Sequence, residues 1–472
     1  MLFSSVTFLY YFLPIVLVGY FLTPMPGGSA RFRNAALLVC SLFFYAWGEP
    51  LYVLLMLFQS LAGWFFGLLI DGFRGSPAGR IALAASVTVG VGGLALFKYS
   101  DFFSESLGAL FRTSVPSLGL ALPIGISFYT FQILSYTIDL YRGKIRVQRN
   151  PLTFSTYVTL FPQLIAGPIV RYADLADTLA RRTHSIERFA AGVRRFVTGL
   201  AKKVLLANTL GELAAACGAA DEQSVLLAWL YALAYSLHIY FDFSGYSDMA
   251  IGLGHMFGFK FPENFNYPYI ARSVTEFWRR WHMSLSAWFR DYVYIPLGGN
   301  RAPTRRRVLN ILLVWLLTGF WHGAGWTFVL WGLYFGLLLL LEKYALAGFL
   351  DRLPAFFGHV YLLLCVILGW VLFDAPDPGA AARTAAALFG LGATGFAGAK
   401  ALYYLRGYAL PLLIASVFCT PLPARIARAL SRGESGARRM TALEPLCVLL
   451  ILALATAFLV DGSYNPFIYF RF

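Results

Sequence analysis

Three segments between residues 275 and 332 decide how this chain is organised. Residues 276–282 read EFWRRWH, residues 290–301 read RDYVYIPLGGNR, and residues 319–326 read GFWHGAGW. The last segment interrupts an apolar run over 308–342. One helical crossing of a bilayer needs about 20 residues, and this run is longer. The glycine-rich segment therefore predicts a break near the middle of the run, with a histidine at the break.

The composition places the whole chain in a membrane. Hydrophobic residues make up 59% of the 472 residues, charged residues make up 13%, and the mean hydropathy is +0.66. Soluble chains carry about 25% charged residues. We expect an all-α polytopic integral membrane protein with roughly ten to twelve transmembrane helices plus re-entrant and interfacial helices. We find no separate soluble domain, so one integral domain over residues 1–472 is the simplest organisation.

The net charge of +15 is distributed in short basic runs between apolar segments. This is typical of cytoplasmic loops, where Lys and Arg set the orientation, and it argues against a nucleic-acid partner. The loop charges predict that both chain termini face outward. A basic cytoplasmic surface also suits an anionic ligand such as a phosphorylated cofactor. The five cysteines are scattered without metal-type or redox-type spacing, so we interpret them as buried apolar residues.

Several segments depart from simple membrane spans. Residues 122–132 and 161–171 are apolar but contain Pro and Gly, which predicts broken or re-entrant helices around a cavity. Residues 172–203 are amphipathic and basic, which is typical of an interfacial helix. Two further spans are expected at 224–242 and 246–258. The aspartates 242 and 248 should cap these helices or line an internal cavity.

His322 is the first candidate for chemistry. A neutral imidazole can take a proton from a hydroxyl near neutral pH, which suits a general base. We expect Trp321 and Trp326 to form the walls of its site, and the neighbouring glycines to let a substrate approach the backbone. The alternative is a structural histidine that is hydrogen-bonded across a helix interface, and the residues alone leave the two equally supported.

His282 is the second candidate, and arginines surround it in sequence. Arg279, Arg280 and Arg290 lie within about two helical turns, and guanidinium groups suit phosphate recognition. The alternative is an interfacial Trp/Arg belt that anchors a short helix, which periodicity alone favours. His238 lies one turn from Asp242, which we interpret as a structural pair. The remaining histidines, at 184, 255 and 359, receive no role.

The familiar patterns of soluble enzymes are absent from the sequence. It contains no G-x-S-x-G elbow, no Walker-type phosphate loop and no H-E-x-x-H motif. A serine triad is therefore not indicated, and neither a metal nor a permanently bound cofactor is implied. From the residues alone, a histidine-centred transfer inside the membrane and a transporter with a proton-coupled histidine are equally supported.

The chain resembles the membrane-bound O-acyltransferases, in particular the bacterial branch that includes alginate O-acetyltransferases and, more distantly, D-alanyl transfer proteins of teichoic acid. The most specific matches are residues 276–301 and 318–332. Further matches lie at residues 2–5, 12–14, 161–171, 241–248 and 466–470.

That resemblance implies tilted helices around a central tunnel, with His322 deep in it as the catalytic histidine and His282 as the second family histidine. It implies acetyl-CoA as the acyl donor, with Arg279, Arg280 and Arg290 as candidates for its phosphates. The acetyl group would cross the bacterial inner membrane to an exported polysaccharide, with periplasmic SGNH-type acetyltransferases and the polymer's assembly machinery as partners. Another donor or acceptor remains an alternative: D-alanyl transfer to teichoic acid, or peptidoglycan or cellulose acetylation. A flippase without covalent chemistry is the alternative of another class.

Overall fold

A computed structural model describes residues 1–165 and 167–462, and within them α-helices account for most of the chain. The helices are α1 (Leu13–Leu22), α2 (Arg31–Ala46), α3 (Tyr52–Gly72), α4 (Pro77–Phe111), α5 (Ile126–Tyr141), α6 (Pro151–Thr159), α7 (Phe161–Leu164), α8 (Tyr172–Ala180), α9 (Ile186–Ala201), α10 (Asn208–Gly218), α11 (Val225–Met256), α12 (Val274–Trp278), α13 (Met283–Phe289), α14 (Thr304–His322), α15 (Trp326–Leu341), α16 (Ala347–Leu350), α17 (Ala355–Asp374), α18 (Pro378–Leu388), α19 (Ala399–Phe418), α20 (Leu422–Leu430) and α21 (Gly433–Asp461). Short π-helical segments follow some of them directly, at Lys202–Ala207, Arg290–Tyr294 and Glu342–Leu346.

The helices confirm the all-α polytopic architecture. Among the described residues, 7 helices are long and apolar enough to cross a membrane: α3, α4, α11, α15 with its π-helical extension, α17, α19 and α21. The segment Phe8–Leu22 is apolar but shorter. The further crossings that would bring the total to ten or twelve stay a prediction. The resemblance noted over residues 466–470, and Ala166 within the segment 161–171, lie outside the described residues.

Packing divides the chain into two compact units. The first contains residues 1–196 and 249–262, and the second contains residues 197–248 and 263–472. This division concerns packing alone, and one acyltransferase domain over residues 1–472 stays a prediction.

In the first unit, aromatic rings from the chain start, α2 and α7 form a buried cluster. The ring centroids of Phe3 and Phe8 lie 4.9 Å apart, and those of Phe44 and Phe161 lie 5.5 Å apart. Here the expectation of a broken helix within 122–132 is wrong, and the re-entrant alternative stays a prediction. The helix α5 begins at Ile126, and the preceding Gly125 has φ 76°, a left-handed conformation that glycine adopts without strain. The Pro and Gly therefore precede the helix instead of interrupting it.

In the second unit, α14 and α15 form the tight hairpin that the glycine-rich segment predicts. A Cβ atom at Gly319 would collide with the carbonyl oxygen of Phe328, and one at Gly332 would collide with that of Trp315. Such close helix approach is typical of small residues in membrane proteins. The break between the two helices falls at residues 323–325, so α14 ends on His322.

The two spans expected at 224–242 and 246–258 are one helix, α11, of 32 residues. Asp242 and Asp248 therefore lie inside a helix and cap nothing. Each carboxylate instead pairs with a lysine of the second unit: Asp242 with Lys203 at 2.5 Å and Asp248 with Lys202 at 2.6 Å. The sequence suggested a helix boundary because two charges interrupt an apolar run, whereas the ion pairs allow the helix to continue.

Candidate active site

A cavity of about 680 Å³ opens between α12, α13, α14 and the end of α15 in the second unit. Its walls are largely apolar, with a small number of charged groups, which is the usual character of a small-molecule site. The apolar lining residues include Leu285, Phe289, Ile311, Val314, Trp315, Leu339 and Leu350, and the polar ones include Thr275, Arg279, His282, Arg290, Thr318, Glu342, Lys343 and Asp351.

The short helix α12 is fixed at its N-terminus by two side chains. Ser273 accepts a hydrogen bond from the backbone N–H of Glu276 at 3.0 Å, as an N-cap residue does. The carboxylate of Glu342 accepts from the backbone N–H groups of Val274 at 2.5 Å and Thr275 at 2.8 Å, and from the hydroxyl of Thr275 at 2.6 Å. A carboxylate at this end also complements the helix dipole. Glu342 thus holds the segment that leads to His282.

The tautomer of His282 follows from its neighbours. Its Nδ1 lies 3.1 Å from Oδ1 of Asn264, and the same oxygen accepts from the backbone N–H and the hydroxyl of Ser284 at 3.3 and 2.9 Å. Because a backbone N–H can only donate, this amide atom is the oxygen, and Nδ1 of His282 must carry the proton. Nε2 therefore carries the lone pair.

His282 is buried in a way that keeps it neutral. Its side chain is 1% exposed, and burial lowers the pKa of His282 to about 3. Within residues 1–165 and 167–462, Nε2 has no hydrogen-bond partner, although the ring lines the cavity. A buried nitrogen that could accept a hydrogen bond and does not is uncommon in proteins. The imidazole is thus poised to accept one from a bound group.

His322 lies at the C-terminus of α14, one turn beyond Thr318, which lines the cavity. Its side chain is buried among rings: Trp321, Trp331 and Phe373 have centroids 5.0, 5.0 and 5.4 Å from the imidazole. The ring of Trp321 also lies 5.8 Å from that of His282. The two candidate histidines therefore contact one indole.

The surroundings of His322 differ from expectation in two respects. The side chain of Trp326 is 57% exposed, so it forms no wall of a buried site. A Cβ atom at Gly323 would collide with the ring of Phe328, so an aromatic side chain occupies the space that the sequence assigned to a substrate. Gly323 is needed for packing within the hairpin.

The three candidate arginines separate into two places. Arg279 and Arg290 line the cavity with His282, and Arg290 is paired with Asp291 at 2.7 Å. Arg280 lines a different cavity and pairs with Glu276 at 2.8 Å. Arg279 and Arg280 are consecutive in sequence, but their side chains line different cavities. The sequence therefore suggested one group of arginines that the structure separates. Over the described ranges, no group of three or more His, Cys, Asp or Glu side chains is placed to hold a metal ion.

Sequence reasoning missed two residues of this site, Asn264 and Glu342. The signal for Glu342 was available, since a carboxylate at the end of the apolar run 326–341 requires a partner. Asn264 left no such signal, because it lies in a polar, irregular segment where an asparagine is ordinary.

The comparisons with known proteins agree with this architecture. Residues 125–376 match the family model of the membrane-bound O-acyltransferase family, MBOAT, and this range includes both histidines. The chain is 42% identical to the probable alginate O-acetylase AlgI of Pseudomonas putida over 502 aligned residues that cover 100% of each chain. It is 45% identical to the corresponding protein of Azotobacter vinelandii, covering 83% of this chain and 79% of that one. The peptidoglycan O-acetyltransferase of Helicobacter pylori is 34% identical, covering 83% and 80%.

The chain therefore belongs to the membrane-bound O-acyltransferase family. It is an integral membrane O-acyltransferase.

Proposed function

We propose that this protein takes an acetyl group from acetyl-CoA and passes it to an acceptor hydroxyl group, for O-acetylation of an exported, alginate-like polysaccharide. We propose His282 and His322 as the reacting pair. The observation that carries the proposal is their shared contact with Trp321 beside a cavity of about 680 Å³. Two imidazoles, one of which has an available Nε2, suit proton movement between an acceptor hydroxyl and a leaving thiol.

The cavity supports a thioester donor. Its volume lies in the range of about 300–1,000 Å³ that small-molecule sites occupy. Its apolar walls suit the pantetheine arm of a coenzyme A thioester, while Arg279 and Arg290 offer guanidinium groups to the donor's phosphates. His282 lines the same cavity, so the thioester would meet the imidazole after entering past the arginines.

The chemistry balances with these groups. The acceptor oxygen attacks the thioester carbonyl carbon while its proton moves to an imidazole, for which we propose His322. The C–S bond then breaks, and the thiolate takes a proton from the imidazolium, so the products are an acetate ester and a free thiol. The neutral His282, which presents a lone pair at Nε2, would accept a hydrogen bond from a reacting group. Acyl transfer through histidine is the alternative route, and it would leave an acetyl-imidazole in a rapid quench.

The proposed acceptor rests on the relatives. Two of them are named as alginate O-acetylases and a third as a peptidoglycan O-acetyltransferase. From the loop charges we propose that both termini lie outside the bacterial inner membrane, and from the family resemblance we propose that periplasmic SGNH-type acetyltransferases receive the acetyl group. The same fold with an aminoacyl donor, or with peptidoglycan, cellulose or teichoic acid as acceptor, is the second candidate.

A donor assay tests the proposal. Purified protein in lipid nanodiscs is given acetyl-CoA, an SGNH-type acetyltransferase and acetyl-accepting oligosaccharides, and free thiol and acetyl transfer are measured. We expect transfer by the wild type and its loss in His322→Ala at unchanged folding. Trp326→Phe, an exposed position in the same hairpin, is the matched control.

If wild-type protein consumes no acetyl-CoA but reacts with a charged aminoacyl carrier protein, the second candidate replaces the first. If His322→Ala transfers acetyl groups at the control rate, the proposed role of His322 is wrong.

A further inference from the structure

A second cavity, of about 470 Å³, borders the segment that carries His282. Seven residues line it: Ile270, Arg272, Glu276, Arg280, His359, Pro421 and Arg425. Arginine and glutamate supply four of the seven, which distinguishes it from the largely apolar cavity at His282. We call it the basic cavity.

The charges of the basic cavity do not balance. Three guanidinium groups face one carboxylate, and that carboxylate is already used. Glu276 Oε1 accepts from Arg280 at 2.9 Å, and its Oε2 accepts from the backbone N–H of Arg272 at 2.9 Å. The guanidinium groups of Arg272 and Arg425 form no hydrogen bond or ion pair with any residue that the structure describes. The site therefore holds excess positive charge at a concave surface, which attracts anions.

His359 adds an imidazole to the same cavity. Its Nδ1 lies 3.0 Å from the carbonyl oxygen of Ala271, so Nδ1 donates and Nε2 remains for another partner. An imidazole with a lone pair at Nε2 can accept from a protonated phosphate oxygen, or donate once it is itself protonated. Three guanidinium donors, with an imidazole that can accept from a protonated oxygen, suit a phosphate group, whose several oxygens can bond to more than one arginine.

The helix that contributes Arg425 exposes apolar side chains along one side. Leu422, Ile426 and Leu430 follow each other at every fourth position of α20 and are 48%, 50% and 63% exposed. Exposed apolar residues at this spacing, with arginines elsewhere on a short helix, are typical of a helix that lies in the membrane interface. At that depth the most abundant anions are the phosphate groups of lipid headgroups.

We propose that the basic cavity binds a phosphate group, held by Arg272, Arg280 and Arg425, at the membrane interface. The source is either the headgroup of an anionic phospholipid or a free phosphorylated compound, since the donor set recognises their common phosphate. This site is separate from the acyl-donor cavity and does not depend on the proposed reaction.

The location gives the bound phosphate a structural consequence. Arg280 is linked to the segment before α12 by two hydrogen bonds: its Nη1 donates to the carbonyl oxygen of Asn266 at 3.1 Å, and its own carbonyl oxygen accepts from the N–H of Asn266 at 2.9 Å. His282 follows two residues later. A phosphate held by Arg280 would therefore stabilise the turn that leads to His282.

The test compares lipid and free phosphate on the full-length protein. Native mass spectrometry measures retention of phosphatidylglycerol against phosphatidylcholine, and thermal unfolding in detergent is followed during a titration with inorganic phosphate. The test variant is Arg272→Gln/Arg425→Gln, which leaves the Arg280–Glu276 pair intact. Its matched control is Arg428→Gln/Arg432→Gln, which removes two charges nearby without touching the cavity. Arg425→Lys, which keeps the charge but not the planar fork, tests the geometry if the double variant fails to fold.

We expect the test variant to bind roughly tenfold more weakly than wild type, and the control to bind as wild type does. Loss of phosphatidylglycerol retention with no response to inorganic phosphate in any protein identifies a lipid headgroup site. A phosphate-induced rise in melting temperature that the test variant lacks identifies a site for the phosphate group itself. If the test variant matches the control in both measurements, or if wild-type protein neither retains phosphatidylglycerol better than phosphatidylcholine nor responds to inorganic phosphate, the proposal is wrong.

Discussion

Nδ1 of His282 donates a hydrogen bond to Oδ1 of Asn264 across 3.1 Å, and this one contact determines which nitrogen of the imidazole carries the lone pair. The oxygen also accepts from Ser284, so its position is fixed by two further donors. The arrangement resembles the way in which a carboxylate or amide orients a catalytic histidine in many enzymes, by binding the nitrogen that does not react.

Replacement of Asn264 by Leu should therefore lower activity more than it lowers stability. The variant removes the acceptor of both His282 and Ser284, and each buried donor left unsatisfied costs about 1–3 kcal/mol. The imidazole would also be free to adopt the other tautomer. We expect acyl transfer to fall at least about tenfold beyond the decrease in folded protein. Asn264→Asp, which retains an acceptor oxygen, should recover part of the activity. Equal activity of the Leu and Asp variants, normalised to folded protein, would show that the contact has no role in orientation.

The backbone of His282 gives a second prediction. Its φ of 42° and ψ of 53° lie in the left-handed region, which costs a residue with a side chain about 1–2 kcal/mol. Glycine adopts this conformation without that cost. Both His282→Gly and His282→Ala should lose transfer activity, but the Gly variant should unfold at the higher temperature. Thermal unfolding of the two purified variants measures the difference. A more stable Ala variant would mean that the backbone relaxes to negative φ once the imidazole is removed.

Glu342 provides a third prediction, because it supports α12 from a distance in sequence. Glu342→Leu would leave the N–H groups of Val274 and Thr275 without their acceptor, whereas Glu342→Gln keeps one oxygen. We expect the Leu variant to raise KM for the donor severalfold and to lower the melting temperature, with the Gln variant in between. Glu434→Gln, at an exposed glutamate near the start of α21, is the control. If the Leu variant lowers the melting temperature but leaves KM and kcat at the control values, Glu342 stabilises the fold without positioning the site.

The fold was predictable from the sequence where hydrophobic length decides the outcome. The break between α14 and α15 follows from an apolar run that is too long for one span and contains glycines. The continuity of α11 was not predictable. The ion pair that allows Asp242 to lie inside the helix is made with Lys203, which lies far away in sequence. Length and composition indicate where helices lie. Whether a charged residue terminates a helix depends on the partners that the folded chain provides for that residue.

The site was predictable in its residue types more than in its geometry. The histidines stood out because titratable groups are rare in apolar sequence, and the structure brings both against Trp321. Their catalytic roles stay a prediction. The separation of Arg279 from Arg280 depends on where the short helix α12 ends, which periodicity over so few residues does not define. His359 received no role because its arginine neighbours, apart in sequence, meet only in the folded chain.

The pair Lys203–Asp242 gives the last prediction, since both side chains are 1% exposed and lie 2.5 Å apart. Removing one partner from a buried pair leaves an uncompensated charge and costs about 3–5 kcal/mol, whereas replacing both by apolar residues is often neutral. Lys203→Met should therefore greatly lower the melting temperature and the yield of folded protein, and Lys203→Met/Asp242→Leu should recover most of the loss. The comparison is Lys202→Met, which breaks the Lys202–Asp248 pair. Its side chains are 23% and 10% exposed, so this pair is less buried than Lys203–Asp242 and the loss should be smaller. A double variant as unstable as Lys203→Met would show that the two charges are held by different partners and that their mutual attraction does not account for their burial.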